Sequence, residues 1–187
     1  GKYDVTVKDK FGCPTIFTAL VEILEPLDLK YNNVVLPTCA DGDGSLSASA
    51  TGGSGNYSYT IGAVTLTTTP ADFKDLSAGK HTIVVTDVTT GCTAEVEVTL
   101  GAATPILGFD ASSTPVSCFG STDGTITAVI DQTGANDNPP YKYSLDGGPL
   151  QDSPYFTGLA AGTYNVEVIS GRGCPASKPV TVGTPAI

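Results

Sequence analysis

One motif occurs three times in this chain, and it limits the fold more than any other feature. A glycine opens a strand-like run that ends in a Gly-Cys pair, from Gly1 to Cys13, from Gly79 to Cys92 and from Gly162 to Cys174. The cysteines of the motif recur at intervals of about 80 residues, a period that indicates an array of small domains rather than one large fold.

Other landmarks recur in the same order between these motifs. Cys39 and Cys118 are each followed by an Asp-Gly pair and then by two tyrosines, Tyr57 and Tyr59 or Tyr141 and Tyr143. The phase predicts the C-terminal hairpin of a preceding repeat at 1–25, full repeats at 26–104 and 105–184, and the start of a following repeat at 185–187. Linkers are expected around Glu25-Pro26 and Thr104-Pro105, where proline fixes φ and stiffens the joint.

Apolar residues alternate along short runs instead of following a helical period. Leu46, Ala48 and Ala50 alternate with small polar residues, and so do the residues after Gly124. Threonine and valine dominate these runs, as half-buried strands favour, and 22 glycines and 13 prolines supply turns. The pattern predicts an all-β chain of tandem immunoglobulin-like (fibronectin III-like) β-sandwich domains in an elongated array.

Charge excludes two classes of partner. The net charge is −10, and the nine basic residues are scattered along the chain. Nucleic acids and anionic membrane surfaces require clustered positive charge, so neither is an expected partner. No apolar run reaches membrane-spanning length, and membrane insertion of this segment is not expected.

The cysteines are the expected source of extra stability, because a repeat of about 80 residues has a small core. Their regular placement predicts an oxidising, extracellular setting. Pairing within repeats, Cys39–Cys92 and Cys118–Cys174, is favoured, and each loop of roughly 50 residues would contribute about 4 kcal/mol. One difficulty is that the first and last turns of a standard sandwich lie at opposite ends. The alternatives are pairing across linkers, Cys13–Cys39 and Cys92–Cys118, and packed free thiols.

The candidate ligand-binding residues each have a structural alternative. Asp41, Asp43 and Asp123 could supply oxygen ligands to calcium, with Asp87 as a distant partner. The favoured interpretation is a tight turn formed by Asp and Gly. Tyr57, Tyr59, Tyr141 and Tyr143 could stack on sugars, but core packing is favoured for them.

No catalytic constellation is apparent, and the chain is not expected to be an enzyme. His81 is the single histidine, and it replaces Tyr3 and Tyr164 at the same repeat position, where a packed ring is expected. Calcium is the only cofactor considered. Zinc is not expected, because the chain has no Cys-x-x-Cys pair.

Taken together, the landmarks resemble the SprB-type repeat of large bacterial surface adhesins. The resemblance rests on Cys39, Asp43-Gly44-Ser45-Leu46, Gly52-Gly53, Tyr57-Ser58-Tyr59, Leu76 to Gly79, Asp87 and Gly91-Cys92, and on the matching series from Cys118 to Cys174. His81 for tyrosine, and Ser170 where Asp87 stands, depart from the pattern.

The resemblance implies a secreted, cell-surface filament of gliding bacteria, exported by the type IX system, in which these repeats form a stalk. Expected partners are neighbouring repeats and extracellular or cell-surface components, polysaccharide among them. The alternative function is a carbohydrate- or protein-binding accessory module of a larger secreted protein.

Overall fold

The computed structural model describes residues 1–21, 23–131 and 139–185. Fifteen β-strands are found in these residues, and no helix is. Accordingly, the described ranges contain no helix long and apolar enough to cross a membrane. The predicted all-β class is confirmed. Residues 132–138 of the predicted repeat 105–184, and the last two residues of the predicted segment 185–187, lie outside the described residues.

The strands fall into three groups along the chain. A hairpin comes first, with β1 at Lys2–Lys8 and β2 at Pro14–Leu20. The first repeat contains β3 Asp28–Val35, β4 Gly44–Thr51, β5 Tyr57–Ile61, β6 Val64–Leu66, β7 Ala71–Leu76, β8 Gly79–Asp87 and β9 Thr93–Leu100. The second contains β10 Phe109–Thr114, β11 Gly124–Ile130, β12 Lys142–Leu145, β13 Tyr155–Leu159, β14 Gly162–Ile169 and β15 Pro175–Val182.

Each repeat has two sheets with the same strand order. In the first repeat the sheets are β3-β4-β7 and β6-β5-β8-β9, and in the second they are β10-β11-β13 and β12-β14-β15. In place of the short β6, the described part of the second repeat has an isolated bridge between Tyr143 and Gln151. The chain passes from one sheet to the other after β4, β6 and β7 in the first repeat, and after β11, β12 and β13 in the second. This crossing between two sheets is typical of an immunoglobulin-like sandwich. The predicted tandem β-sandwich fold is therefore confirmed.

By compactness, the chain divides into two units whose boundaries cut through strands of the first repeat. Unit 1 comprises residues 1–32, 47–72 and 82–97, and unit 2 comprises residues 33–46, 73–81 and 98–187. In unit 1, the hydroxyl of Tyr59 on β5 accepts a hydrogen bond from the backbone N–H of Ala50 on β4 (2.9 Å). This buried bond joins the two sheets, and Tyr59 itself is fully buried.

Unit 2 contains the core of the second repeat, to which both sheets contribute. The buried residues are Val116, Ile126, Ala128, Ile130, Tyr143, Val166, Val168, Val180 and Val182. The alternating apolar residues of β11 and β14 therefore face the core. The alternation after Gly124 predicts this for β11, since residues two apart lie on one face of a strand. Leu46, Ala48 and Ala50 of the first repeat are buried in the same way.

The glycine of each Asp-Gly landmark lies where a side chain has no space. A Cβ on Gly124 would come within 2.5 Å of Val182 Cγ1 and 2.9 Å of the Leu159 carbonyl oxygen. A Cβ on Gly44 would come within 2.7 Å of the Leu76 carbonyl oxygen. The landmark thus begins the second strand of each repeat at a point where the neighbouring chain segments leave no room for a side chain.

Candidate functional site

A disulfide in unit 2 connects residues of the two repeats. Cys39, in the turn before β4, is bonded to Cys174, in the hairpin between β14 and β15, with the two Cα atoms 5.0 Å apart. The two cysteines are 135 residues apart in sequence, so the bond closes a long loop. The remaining three cysteines, Cys13, Cys92 and Cys118, are exposed free thiols.

Neither predicted set of cysteine pairs is present. The pairs Cys39–Cys92 and Cys118–Cys174 were expected within repeats, but the structure joins Cys39 to Cys174. The linker pairs Cys13–Cys39 and Cys92–Cys118 are absent too, because Cys13, Cys92 and Cys118 are free. The predictions were wrong in assigning partners, although Cys39 and Cys174 do form a disulfide.

The strand order of the second repeat explains why its own two cysteines do not pair. Cys118 precedes β11, whose first residue, Gly124, pairs with Leu159 just before β14 begins. Cys174 follows β14, so the two thiols are separated by the length of that strand. Eight residues of strand span about 26 Å, whereas a disulfide requires Cα atoms within about 7 Å. The first and last turns of a sandwich lie at opposite ends, a difficulty already seen in the sequence, and this separation is why Cys118 and Cys174 do not pair.

Arg172 lies beside the disulfide and makes most of the polar contacts there. Its guanidinium donates hydrogen bonds to three backbone carbonyls, those of Pro37 (3.0 Å from Nε), Gly101 (2.7 Å) and Ala102 (3.0 Å). Its own carbonyl accepts from the N–H of Cys39 (2.9 Å). A guanidinium carries five donors in a rigid fork and so can bind several converging carbonyls. We call this group, the disulfide with Arg172 and its carbonyl partners, the Cys39–Cys174 joint.

Sequence reasoning missed Arg172, although a signal was present. It is the only arginine of the chain, and it directly precedes a Gly-Cys pair. The corresponding residues of the other two Gly-Cys motifs are Phe11 and Thr90. A residue type that occurs at one repeat position in a single copy is a reasonable signal of a contact that only this copy makes.

The turn that carries Cys39 is closed by the two aspartates predicted as calcium ligands. Asp43 accepts hydrogen bonds from the N–H and the hydroxyl of Thr38, both at 2.7 Å. Asp41 has a positive φ of 57° and accepts from the N–H of Ala78 (2.7 Å). The hydrogen bonds from Thr38, led by that from its hydroxyl, lower the pKa of Asp43. The favoured turn interpretation therefore accounts for both side chains.

Asp123 has the same role before β11. It accepts a hydrogen bond from the N–H of Ser117 (3.0 Å), and the hydrogen bonds from Ser117 lower its pKa. In the ranges 1–21, 23–131 and 139–185, no three His, Cys, Asp or Glu side chains are grouped so as to hold a metal ion. Calcium binding by Asp41, Asp43 and Asp123 stays a prediction.

Asp87, considered as a distant calcium partner, is a buried structural carboxylate in unit 1. It accepts hydrogen bonds from the N–H and hydroxyl of Ser54 and from the N–H groups of Thr89 and Thr90. These bonds, with the Ser54 hydroxyl foremost, hold its pKa well below the usual range. Gly53 is adjacent, and a Cβ there would lie 2.4 Å from the carboxylate, so the Gly-rich loop can close on Asp87 only with glycine.

The tyrosine pairs belong to the core more than to a surface. Tyr59 is 0% exposed and Tyr143 is 8% exposed, as the favoured core interpretation expects, and this burial contradicts the alternative that these two rings stack on sugars. Tyr57 is half-buried, and its hydroxyl donates to the carbonyl of Gly52. Tyr141 is half-buried against the core of the second repeat. For Tyr57 and Tyr141 ligand binding stays a prediction.

His81 and Tyr164 make the same contact in the two repeats. The Tyr164 hydroxyl donates to the carbonyl of Ala160 (3.0 Å), and Nε2 of His81 lies 2.8 Å from the carbonyl of Ser77. Each partner is four residues upstream, as in the tyrosine corner of immunoglobulin-like domains. A carbonyl only accepts, so Nε2 carries the proton. The predicted packed-ring position of His81 is thus a structural corner.

The fold and the joint define a protein of tandem β-sandwich repeats. The SprB repeat family model matches the chain at residues 32–66 and 111–150, one stretch in each repeat. The resemblance to the SprB-type repeat is confirmed at these two stretches.

Two solved structures are also similar to the chain. Domains 4 and 5 of the S-layer protein SbsC are 16% identical, with a TM-score of 0.38 over 86% of this chain and 99% of that one. Domains 1–6 of the surface layer protein SbsC are 13% identical, with a TM-score of 0.39 over 100% of this chain. The chain spans 35% of the length of that six-domain structure. No curated protein matches the chain.

Proposed function

We propose that this chain is a load-bearing segment of a cell-surface structural repeat protein. The observation that carries the proposal is the disulfide between Cys39 and Cys174, which joins one repeat to the next. The match of both repeats to the SprB repeat supports the cell-surface setting. A disulfide persists outside the reducing cytosol, which agrees with an extracellular location.

The joint is suited to bearing load because its disulfide prevents part of the chain from extending under force. When the chain is pulled from its ends, the residues between Cys39 and Cys174 cannot extend while the disulfide is intact. Arg172 adds hydrogen bonds from the same hairpin to Pro37, Gly101 and Ala102. Such a segment would lengthen little under forces that unfold an unlinked repeat.

Single-molecule force spectroscopy tests this function. With the disulfide intact, unfolding should release only the residues outside the 135-residue loop, about 18 nm of contour length. After reduction, the whole chain of 187 residues should extend, to about 65 nm. The Cys92→Ser variant is the matched control and should behave as the oxidised parent. Full extension of the oxidised chain at low force would contradict a load-bearing role.

Adhesion, gliding motility and type IX export are the finer functions that the SprB resemblance implies, and we propose them for the parent protein. Protease treatment of intact cells would test surface location, since a surface protein is degraded without lysis. In-frame deletion of 26–184 should then reduce attachment under flow or gliding speed while leaving the remaining protein on the surface. Unaltered attachment and gliding would argue against both functions.

A non-catalytic role is also part of the proposal. Asp43, Asp87 and Asp123 have lowered pKa values because they accept hydrogen bonds that close turns. A general acid or base requires a pKa near the working pH, which these groups lack. The proposed partners are neighbouring repeats and extracellular components, including polysaccharide. If polysaccharide is bound through the half-buried rings, Tyr57→Ala or Tyr141→Ala should abolish retention on a polysaccharide column.

A further inference from the structure

We propose that the turn bearing Cys118 is the acceptor half of a second joint, which takes the Gly-Cys hairpin of another repeat of the same kind. The new joint would contain a disulfide from Cys118 to the cysteine of that hairpin. Cys92 and Cys13 would be donor halves of the same type. In this arrangement the observed Cys39–Cys174 bond is one link of a covalent ladder between successive repeats.

The first support is that an aspartate closes the turn at both acceptor cysteines, although the turn at Cys118 is one residue longer than the turn at Cys39. Cys39 follows Thr38, whose N–H donates to Asp43, and Cys118 follows Ser117, whose N–H donates to Asp123. Both aspartates are followed by the glycine that cannot carry a side chain. The backbone before Cys118 is therefore fixed as it is before Cys39, where the disulfide has formed.

The second support is a matching cleft beside each acceptor cysteine. At the observed joint, a cleft of about 140 Å³ is lined by Thr38, Cys39, Asp41, Ala78, Ala102 and Ala103. At the corresponding place on the second repeat, a cleft of about 230 Å³ is lined by Phe119, Gly120, Ser121, Ala160, Ala161 and Thr184. Ala161 corresponds to Ala78, and the neighbouring turn of the repeat supplies both.

The surface around Cys118 is exposed and apolar, as an uncovered interface would be. Cys118 is an exposed free thiol, and the next residue, Phe119, is 92% exposed. Its counterpart at the observed joint is Ala40. A fully exposed phenylalanine gains stability only when a partner covers it, and burying such a side chain is worth roughly 1.5–3 kcal/mol.

The third support is that the donor hairpins are alike. In each of them the glycine before the cysteine has a positive φ, 86° at Gly12, 76° at Gly91 and 74° at Gly173. The N–H of that glycine donates to the carbonyl of the first hairpin residue, which is Asp9, Asp87 or Ser170. That residue is three positions before Gly12 and Gly173 and four before Gly91. Cys174 is bonded, whereas Cys13 and Cys92 are exposed free thiols of the same hairpin type.

The pairing reaction is an ordinary thiol oxidation. The two thiols lose their S–H protons and two electrons, one S–S bond forms, and a disulfide oxidant accepts the electrons and is reduced to two thiols. Oxidised glutathione supplies that oxidant in the experiment.

A three-repeat chain tests the proposal. Residues 1–183 are followed by a second copy of residues 102–187, so that the linker of the observed joint is repeated after Gly183. The protein is refolded with oxidised and reduced glutathione, and its disulfides are mapped by mass spectrometry without reduction. The expected result is Cys39–Cys174 plus Cys118 bonded to the Cys174 of the added copy. Only Cys13, Cys92 and the added Cys118 should then remain as free thiols.

Formation of the Cys39–Cys174 bond in the same molecule serves as the internal measure of folding. In the matched control, Cys118→Ser in the first copy, the added Cys174 should be free. A second chain, residues 1–187 followed by a copy of 108–187, tests a linker that is shorter by two residues. Pairing of Cys118 in either chain supports the proposal. Free Cys118 in both chains, or a Cys118–Cys174 bond inside the added copy, would overturn it.

Discussion

The Gly-Cys hairpins of the two full repeats span residues 87–92 and 170–174. Both end in a Gly-Cys pair, but different interactions stabilise them. In the first, Asp87 is buried and accepts four hydrogen bonds from its own repeat. In the second, the side-chain hydroxyl of Ser170 accepts one hydrogen bond, from the N–H of Cys174 (3.1 Å), while Arg172 and the disulfide bind residues of the other repeat. The first hairpin is therefore stabilised by contacts within its own repeat, and the second by contacts with the other repeat.

This difference teaches that the two hairpins share one backbone hydrogen bond while their side chains differ. In both, the N–H of the glycine before the cysteine donates to the carbonyl of the first hairpin residue, Asp87 or Ser170, and the first hairpin is one residue longer. Whether that residue is Asp87 or Ser170 decides how much of the hairpin's stability is local. Substitutions that remove these interactions one at a time should separate the stability that comes from within the repeat from the stability that comes from the other repeat.

Removing the disulfide should have the largest effect. We expect the Cys39→Ser, Cys174→Ser double variant to lose about 5 kcal/mol by the loop-entropy model, because the closed loop is 135 residues long. That loss corresponds to a fall in Tm of roughly 10–20 °C for a chain of this size, measured by calorimetry. Reduction of the parent protein should lower the Tm similarly. The control is Cys92→Ser, and an equal fall there would refute the role assigned to the joint.

Asp87→Ala should have the next largest effect, and a greater one than Ser170→Ala. Removing Asp87 takes away the charged acceptor of Ser54, Thr89 and Thr90, and hydrogen bonds to charged groups contribute more than neutral ones. Ser170→Ala loses one neutral hydrogen bond, about 1 kcal/mol, or roughly 2–4 °C in Tm. We expect at least twice that fall for Asp87→Ala. Equal falls in thermal melts would remove the distinction between the hairpins.

The contribution of Asp87 should also depend on pH. Hydrogen bonds lower the pKa of Asp87 in the folded state, so its ionised form stabilises the fold fully above its unfolded pKa of about 3.9. The contribution declines as the pH falls toward the folded pKa. The Tm gap between the parent and Asp87→Asn should therefore be constant from about pH 7 to 5 and narrow below about pH 4. A gap that widens in acid would contradict this sign.

Exchanging the residues before the two Gly-Cys pairs should have the smallest effect. Arg172→Thr removes the bonds to Pro37, Gly101 and Ala102, at a cost of about 1 kcal/mol, or roughly 2–4 °C. The disulfide should also be reduced faster by dithiothreitol, because the hairpin that carries Cys174 is then no longer hydrogen-bonded through Arg172 to Pro37. The reciprocal variant, Thr90→Arg, is the control and should leave both values unchanged. Slower reduction of Arg172→Thr would show that Arg172 strains the joint.

The local features of the fold were predictable from the sequence. The alternation at Leu46 and Ile126 indicated strands with one buried face, and the structure buries both side chains. The Asp-Gly landmarks indicated turns, and Asp43 and Asp123 close them. The strand prediction depends on the period of two along a strand, and the turn prediction on contacts between residues five or six apart. Both can be read from a short stretch of sequence.

The disulfide was not predictable in the same way, and the reason is geometric. The spacing of Cys39, Cys92 and Cys174 is compatible with several pairings, since sequence separation does not tell which ends of strands meet. Arg172 was missed because its partners are backbone carbonyls, which leave no trace in residue identity.

The sequence by itself determined the repeat, its length, the all-β class and the turns, because each follows from local periodicity and turn chemistry. Only the tertiary structure decided that Cys39 meets Cys174 rather than Cys92. In the second repeat, strand order puts Cys118 and Cys174 at opposite ends of β14, and a thiol can pair only with a thiol that lies within a few ångströms of it.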